Sequence, residues 1–416
     1  MEEVLKRIIL ENQERIEHKK LIPRYLELPE IEQISIITGL RRSGKTSLLF
    51  IETDKYPKED VLFLDFEDER LVMLNSLSSY DCIIDSYKRL FEKRKPVLFF
   101  DEIQGLKNWY LYVKRLYSQG FKIYITGSNS DLITRDISTY ISGRGVEFEI
   151  LPFSFFEYLQ LKRLSFQNND FFTKVPQILN LFDDYLLYGG LPEVIRSDDK
   201  MLSIRSIFDL LFYKDLIARF KCSEYGVKLV ISKLVENVGK TFSLNKLHNK
   251  LKPLYNISKP TTIQYVNILE KPYLVQAIFQ YRKSFVQRER ERKVYFMDNS
   301  FITLNSVEPD LGKLLENLVF IELRREHKEL YYHKTTKGFE TDFVVPKEKK
   351  VFQISYSLKD VETREREVRA LISTMKELDF SHGTILTYNE EEMLIESGFD
   401  INVIPVWKWL LKKTVA

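Results

Sequence analysis

The sequence predicts an α/β chain of several domains, led by a mostly parallel sheet with helices on both faces. Three observations predict it. Between 31 and 128, short β-rich runs alternate with longer helical or loop stretches, the rhythm of β-α-β units whose crossovers bury a parallel sheet. Between 225 and 300, three helical stretches precede two β-rich runs, the layout of a winged helix-turn-helix. From 301 to 416 helix and strand patterns mix again. The composition allows such cores, since 63 Lys and Arg against 60 Asp and Glu leave a net charge of +3 and 44% of the residues are hydrophobic. A polyacid, a histone-like polycation and a disordered chain are excluded, and 416 residues exceed what one core usually serves. The two cysteines, Cys82 and Cys222, lack C-x-x-C spacing, so a reducing compartment and a fold held by packing are expected. No run approaches the roughly 18 apolar residues of a membrane span, and the start, Met1-Glu2-Glu3-Val4-Leu5-Lys6, does not read as a signal peptide. A cytoplasmic protein with no membrane partner is the expectation.

Taken in order, residues 1–30 read as an N-terminal helical segment. The sheet domain spans 31–175, with strands at 33–38, 61–66, 97–100 and 121–126, a strand end turning into a helix from 150, and a polar surface connection over 161–174. Residues 176–224 read as a lid-like helical segment broken at Gly189-Gly190-Leu191-Pro192. The winged helix takes 225–300, with helices at 226–239, 243–251 and 259–271 and ribbon strands at 274–281 and 293–297. The last domain, 301–416, has a helix around Leu314, strands at 330–333, 342–346 and 351–356, a helix at 359–378 and a strand at 384–388.

Gly39-Leu40-Arg41-Arg42-Ser43-Gly44-Lys45-Thr46, followed by Ser47, matches G-x-x-x-x-G-K-[ST] where a strand meets a helix. Such a loop presents backbone N–H groups to phosphates, Lys45 neutralises them and the Thr46 hydroxyl ligates Mg²⁺. ATP with Mg²⁺ is the expected ligand. Val97-Leu98-Phe99-Phe100 runs into Asp101-Glu102, placing Asp101 near the metal shell and Glu102 within reach of an attacking water; the alternative is a pair of solvated loop acids. Ser128 and Asn129 follow the next strand, as γ-phosphate or water contacts or as an ordinary turn. Arg144, between Gly143 and Gly145, is a candidate arginine finger or a surface turn residue.

These motifs carry a resemblance. Leu64-Asp65-Phe66-Glu67-Asp68, Phe100-Asp101-Glu102-Ile103-Gln104, Ile125-Thr126-Gly127-Ser128-Asn129, Ser142-Gly143-Arg144 and Leu151-Pro152-Phe153-Ser154-Phe155 follow the phosphate loop in order. Tyr188-Gly189-Gly190-Leu191-Pro192-Glu193, Leu315-Glu316-Asn317-Leu318 and Glu340-Thr341-Asp342-Phe343 come after them. Together they resemble a prokaryotic AAA+ ATPase family with a winged helix and a C-terminal domain of unknown function. The resemblance implies a P-loop parallel sheet of the additional-strand type, then a helical segment, a winged helix and a small nuclease-like α/β domain. It implies Glu102 as the water-activating acid, Asp101 at Mg²⁺, Ser128 and Asn129 as sensors, and Arg144 as a finger that, acting in trans, would require a homo-oligomer.

In the winged helix Ser258 is a candidate N-cap, and Lys259, Thr261, Thr262, Gln264 and Tyr265 are expected on the exposed face of the recognition helix. The ribbon carries Arg282, Lys283, Arg288, Arg290, Arg292 and Lys293 against Glu289 and Glu291, a candidate phosphate-tracking wing for DNA or a solvated hairpin on a protein-contact module. The C-terminal pattern resembles PD-(D/E)XK nucleases, with Glu316, Glu340, Asp342 and Gln353 as a degenerate metal site; Ser355 stands where the lysine would be, which favours an inactive binding domain over an active nuclease. His333 reads as a strand-surface histidine. The preferred reading is a Mg²⁺-dependent ATPase acting on DNA. The rivals are a nucleotide-dependent switch on a protein partner and an ATPase-coupled nuclease.

Overall fold

The strand runs expected between 31 and 128 become β1 (Ile34–Gly39), β2 (Val61–Asp65), β3 (Val97–Asp101) and β4 (Ile123–Gly127), joined by β5 (Gly145–Ile150). The structure, a computed structural model, describes residues 1–17, 21–74, 76–92, 95–127, 141, 143–164, 173–282, 284 and 290–415. Its contacts group into two units, Met1–Ile150 with Lys271–Tyr273, and Leu151–Glu270 with Leu274–Ala416.

In the first unit every strand pairing is parallel and the order is β2-β3-β4-β1-β5. β4 lies between β1 and β3, which is the additional-strand arrangement. The strands read as unbroken apolar runs because both faces are covered. Side chains alternate between two cores: Ile34, Ile36, Leu62, Leu64, Leu98 and Phe100 point into one, and Ile37, Val61, Phe63, Phe99 and Tyr124 into the other. The first core is closed by α1 (Glu2–Glu17), whose Leu5, Ile8 and Ile9 recur at helical spacing, and by α3 (Asp81–Leu90) and α4 (Trp109–Ser118). α2 (Lys45–Thr53) covers the other face through Leu48, Leu49 and Phe50. Because the strands are parallel, the ends of β1, β2 and β3 meet at one rim, where such sheets bind ligands.

The second unit opens with α5 (Phe155–Leu161), held at its start by a capping box between Ser154 and Glu157. Helices α6 (Val175–Tyr188), α7 (Pro192–Arg196) and α8 (Lys200–Leu210) follow, the last running on as a π-helical stretch over Leu211–Ala218. The break at Gly189-Gly190 has a specific cause: Gly189 has φ 74, a Cβ there would run into the Asp298 carboxylate, and Gly190 N–H donates to Asp298 Oδ2 at 2.8 Å. Then come α9 (Glu224–Glu236), α10 (Leu244–Leu251), α11 (Lys259–Glu270), β6 (Val275–Gln280), β7 (Arg292–Phe296), α12 (Asn299–Leu304) and α13 (Leu311–Glu326). The chain ends in β8 (Tyr331–Lys334), β9 (Glu340–Val345), β10 (Lys350–Ile354), α14 (Val361–Leu378), β11 (His382–Thr387), β12 (Glu392–Glu396), β13 (Phe399–Pro405) and α15 (Val406–Val415).

One sheet runs through this unit in the order β12-β13-β11-β10-β9-β8-β6-β7. The expected ribbon is therefore not a free wing. β6 and β7 pair antiparallel, and β6 also pairs parallel with β8 through Phe279↔Tyr331 and Gln280↔Tyr332. An isolated ribbon would leave one edge of β6 to solvent, and β8 covers it. The division expected at 300/301 thus falls inside one sheet.

Candidate functional site

The phosphate-loop segment turns on three left-handed or glycine-only residues: Gly39 at φ 142, Arg42 at φ 66 and Gly44 at φ 101. At Gly39 a Cβ would run into the Ile150 carbonyl, so this glycine serves the β1–β5 approach as well as the loop. Gly44 precedes α2 without a side-chain cap, leaving the N–H groups of the first helical turn without partners in the helix itself, an anion-binding arrangement. Lys45 is buried, its ammonium donating to the carbonyls of Gly39 (3.2 Å) and Leu40 (3.3 Å) and lying 3.8 Å from Glu102 Oε1. The Leu40 side chain is buried, so only its backbone faces the loop; Arg41 pairs with Glu67 at 3.5 Å, Arg42 is exposed and Ser47 is half-buried. Arg24, which no motif marks, is buried against the loop and donates from Nη1 to Ser43 O at 2.8 Å.

Asp101 ends β3 and is 2% exposed, which removes the solvated-acid alternative for it. The Thr46 hydroxyl donates to Asp101 Oδ2 at 2.6 Å, and the Thr126 hydroxyl donates to Oδ1. Thr126 also accepts from Glu102 N–H at 2.9 Å, so one hydroxyl on β4 fixes both acids. Sequence reasoning passed over Thr126, although an oxygen-bearing side chain ending an apolar strand beside the acidic strand is a usable signal. Glu102 has φ 47, a conformation costly for a residue with a Cβ, and it turns the chain so that its carboxylate meets Lys45 and accepts from Gln104 Nε2. Burial pushes the Asp101 carboxyl up to about 6 against the hydrogen bonds from Thr126 and Thr46, and the nearby Glu102 and Asp65 add to the rise. Two observations fit this rim to a phosphate ligand and a hard divalent ion. Thr46 and Asp101 converge as oxygen donors, and the Ser43 hydroxyl is buried with no partner among the described residues.

Arg144 is elsewhere. Its carbonyl accepts from Ile34 N–H at 2.7 Å and Gly145 lies opposite Ile34, at the start of β1. Five residue steps of about 3.3 Å separate that end from Gly39, roughly 17 Å, more than an arginine side chain spans. Arg144 is not a finger for its own phosphate loop. Ser128 and Asn129 lie outside the described residues.

In the second unit Glu316, Glu340 and Asp342 do come together, around a residue assigned to the wing. Lys293, fully buried on β7, sits 2.9 Å from Asp342 Oδ1, 3.0 Å from Glu340 Oε1 and 3.5 Å from Glu316 Oε1. It is not a phosphate-tracking surface cation. The second oxygens of two of the acids are engaged too: Ile354 N–H donates to Asp342 Oδ2 (3.0 Å) and Thr241 to Glu340 Oε2 (2.8 Å), while Tyr295 donates to Glu316 Oε1, the oxygen that faces Lys293 (2.6 Å). Gln353 lies beside them, its Oε1 accepting from Asp342 N–H at 3.4 Å while its Nε2 donates to Glu367 at 2.7 Å. Burial works against the Lys293 ammonium, but the surrounding carboxylates outweigh it and hold its pKa well above the usual value. Burial, with Asp342 beside it, pushes the Glu316 carboxyl up to about 7 against the pull of Lys293. A carboxyl that binds its proton more tightly when folded stabilises the fold fully below its unfolded value and loses that contribution as pH rises through the folded one. Stability should therefore fall as pH rises from the ordinary carboxylate range through about 7. Glu316→Gln should flatten that part of a urea-midpoint profile, and an unchanged slope would refute the assignment.

The recognition helix differs from expectation at two positions. Thr262 and Tyr265 are buried, with Val266 and Leu269 on the same stripe; Thr262 donates to Ser258 O at 3.1 Å, and Tyr265 accepts from Ser223 N–H at 3.2 Å. Lys259 and Gln264 are exposed and Thr261 is half-buried. On the ribbon Arg282 and Arg290 are exposed, but Arg292 is buried with its guanidinium 5.1 Å from the Phe279 ring, because it faces Phe279 in the ladder. Lys283 and Arg288 lie outside the described residues. His333 is buried rather than on the surface, its Nε2 3.2 Å from Glu377.

Comparison with known proteins adds three findings. Residues 32–159 match an AAA domain, and two domains of unknown function match 179–309 and 311–409. The uncharacterized protein MJ1544 of Methanocaldococcus jannaschii is 32% identical, over 97% of this chain and 94% of its own. An uncharacterized protein of Haemophilus influenzae is 28% identical over 82% of this chain and 86% of its own. Among solved structures, the Walker-type ATPase PABY2304 of Pyrococcus abyssi matches with a TM-score of 0.43 and 15% identity, over 73% of this chain and 95% of that one.

Proposed function

We propose, from the premise that this chain belongs to the prokaryotic AAA+ ATPase family of its Methanocaldococcus jannaschii relative, that it hydrolyses ATP with Mg²⁺ and uses the cycle to act on DNA. The observation that carries the ATPase reading is the convergence of Lys45, Thr46, Asp101, Thr126 and Glu102 at one sheet rim. The loop amides and the Lys45 ammonium bind the polyphosphate. Thr46 and Asp101 would hold Mg²⁺, which when bound neutralises phosphate charge. Glu102 orients the attacking water and takes its proton, held in place by Thr126 behind it and Gln104 beside it.

Arg144, at the far end of β1, can serve only a neighbouring subunit, so the active form in this reading is a homo-oligomer. Among the described residues no helix is long and apolar enough to cross a membrane, and the proposed setting is the cytoplasm. The second unit is read as a binding rather than a cleaving domain. The Lys293 ammonium already engages the oxygens that a divalent ion would need.

The test is phosphate release from ATP by the full chain, with and without DNA. Lys45→Ala is expected to lower ATP affinity at least about 10-fold and to abolish turnover, since it removes a charge-assisted contact. ATP binding with no turnover in the unaltered chain would favour the protein-directed switch and overturn the ATPase reading.

A further inference from the structure

The exposed face of α11 is poor in charge for a nucleic-acid reader. With Thr262 and Tyr265 buried, Lys259 is the cation left among the contacts assigned to it. The neighbouring helix α10 is different. A cavity of about 290 Å³ between α9 and α10 is bordered by Lys233, Lys246 and Lys250 over a floor of Leu234, Phe242 and Leu247. A second, of about 530 Å³, is bordered by Arg282 and Arg290 of the ribbon together with Ser243 and Asn245 at the start of α10. Thr241 and Phe242 border the first and Ser243 and Asn245 the second, and Lys246 of the first lies 3.6 Å from Glu291 of the second, so the two adjoin.

Among the described residues five cations and one acid, Glu291, line this trough; Glu291 lies 3.6 Å from Lys246, and Glu236, beside the trough, lies 2.7 Å from Lys233. The excess is positive, and clefts lined by one sign of charge concentrate oppositely charged ligands. Side-chain amides of Asn245 and Asn249 line the same cavities, suited to phosphate and sugar oxygens.

We infer that this trough, and not the exposed face of α11, carries the phosphate backbone of a nucleic acid. The inference rests on the DNA-directed reading above and names its surface. A globular acidic protein would need a broad flat complement, whereas two adjoining cavities with spaced cations fit a continuous polyanion strand.

The experiment is fluorescence anisotropy of the full chain with a labelled duplex and a labelled single strand, across a salt series. Lys246→Glu with Lys250→Glu, and separately Arg282→Glu with Arg290→Glu, should each weaken binding at least about 10-fold. Each pair should also reduce the slope of log K against log salt by about 2, near one per cation removed. Lys259→Glu with Gln264→Glu should change affinity less than about twofold. Circular dichroism melts of all three variants check that the fold persists. Loss of binding confined to the α11 variant would overturn the trough and leave the DNA reading standing. Binding of polyglutamate as tightly as either nucleic acid would overturn it in favour of an acidic protein segment. No binding of either probe by the unaltered chain would overturn both readings.

Discussion

Glu102→Gln should retain ATP and hydrolyse it at least about 100-fold more slowly, the usual worth of a positioned general base. The substitution keeps the size and one acceptor oxygen, and it leaves the backbone N–H that donates to Thr126 at 2.9 Å. It removes the proton acceptor, and with it the negative charge 3.8 Å from Lys45. Affinity for ATP should therefore hold or rise while turnover collapses. Nucleotide filter binding and single-turnover phosphate release separate the two quantities. A variant that still turns over within about threefold of the unaltered chain would show that the water is activated elsewhere, since loss of a general base costs far more. A variant that loses both binding and turnover would point to a collapsed rim, which a melting curve would reveal.

Lys293→Met should destabilise the second unit by about 3–5 kcal/mol, because it strands carboxylates around a buried position. The ammonium touches Asp342, Glu340 and Glu316 within 3.5 Å, and the lysine is fully buried. Methionine fills most of the volume, so the loss measures charge rather than a cavity. Adding Asp342→Asn and Glu340→Gln to the same chain should recover a large part of the loss, since neutral partners need no cation. Urea midpoints of the three chains decide it. A loss below about 1 kcal/mol, as a surface pair would give, would mean that the cluster is not the internal salt network described.

The nucleotide rim was legible because its chemistry demands particular residues at fixed spacing: Gly39 to Thr46, and two acids closing an apolar strand. Thr126 and Arg24 were not, since each acts through a contact across the sheet or loop that no local pattern announces. In the second unit the mistakes share one cause. Thr262 and Tyr265 look like surface residues but lie on the buried stripe of α11, and Arg292 and Lys293 look like wing cations but are buried on the two faces of β7. Polar types hid a burial pattern that aliphatic residues would have shown. For Arg144 the flanking glycines reveal a turn without revealing which end of the sheet it occupies, so the sequence left open whether it would face its own phosphate loop or a neighbour's. The β12–β13 hairpin was also missed; β12 is an edge strand with Met393 and Ile395 exposed, so it lacks a clean inside-outside alternation.

The parallel pairing of β6 with β8 reaches beyond this site. Family profiles part company between 309 and 311, yet the ladder and the lysine on β7 stitch the two sides together. A seam in the vocabulary of families is not a hinge in the mechanics. A gene severed there would yield two fragments, one with a raw sheet margin and an orphaned ammonium, the other with a knot of uncompensated acids. Neither is expected to persist alone, and the two must be inherited, and engineered, as a single block.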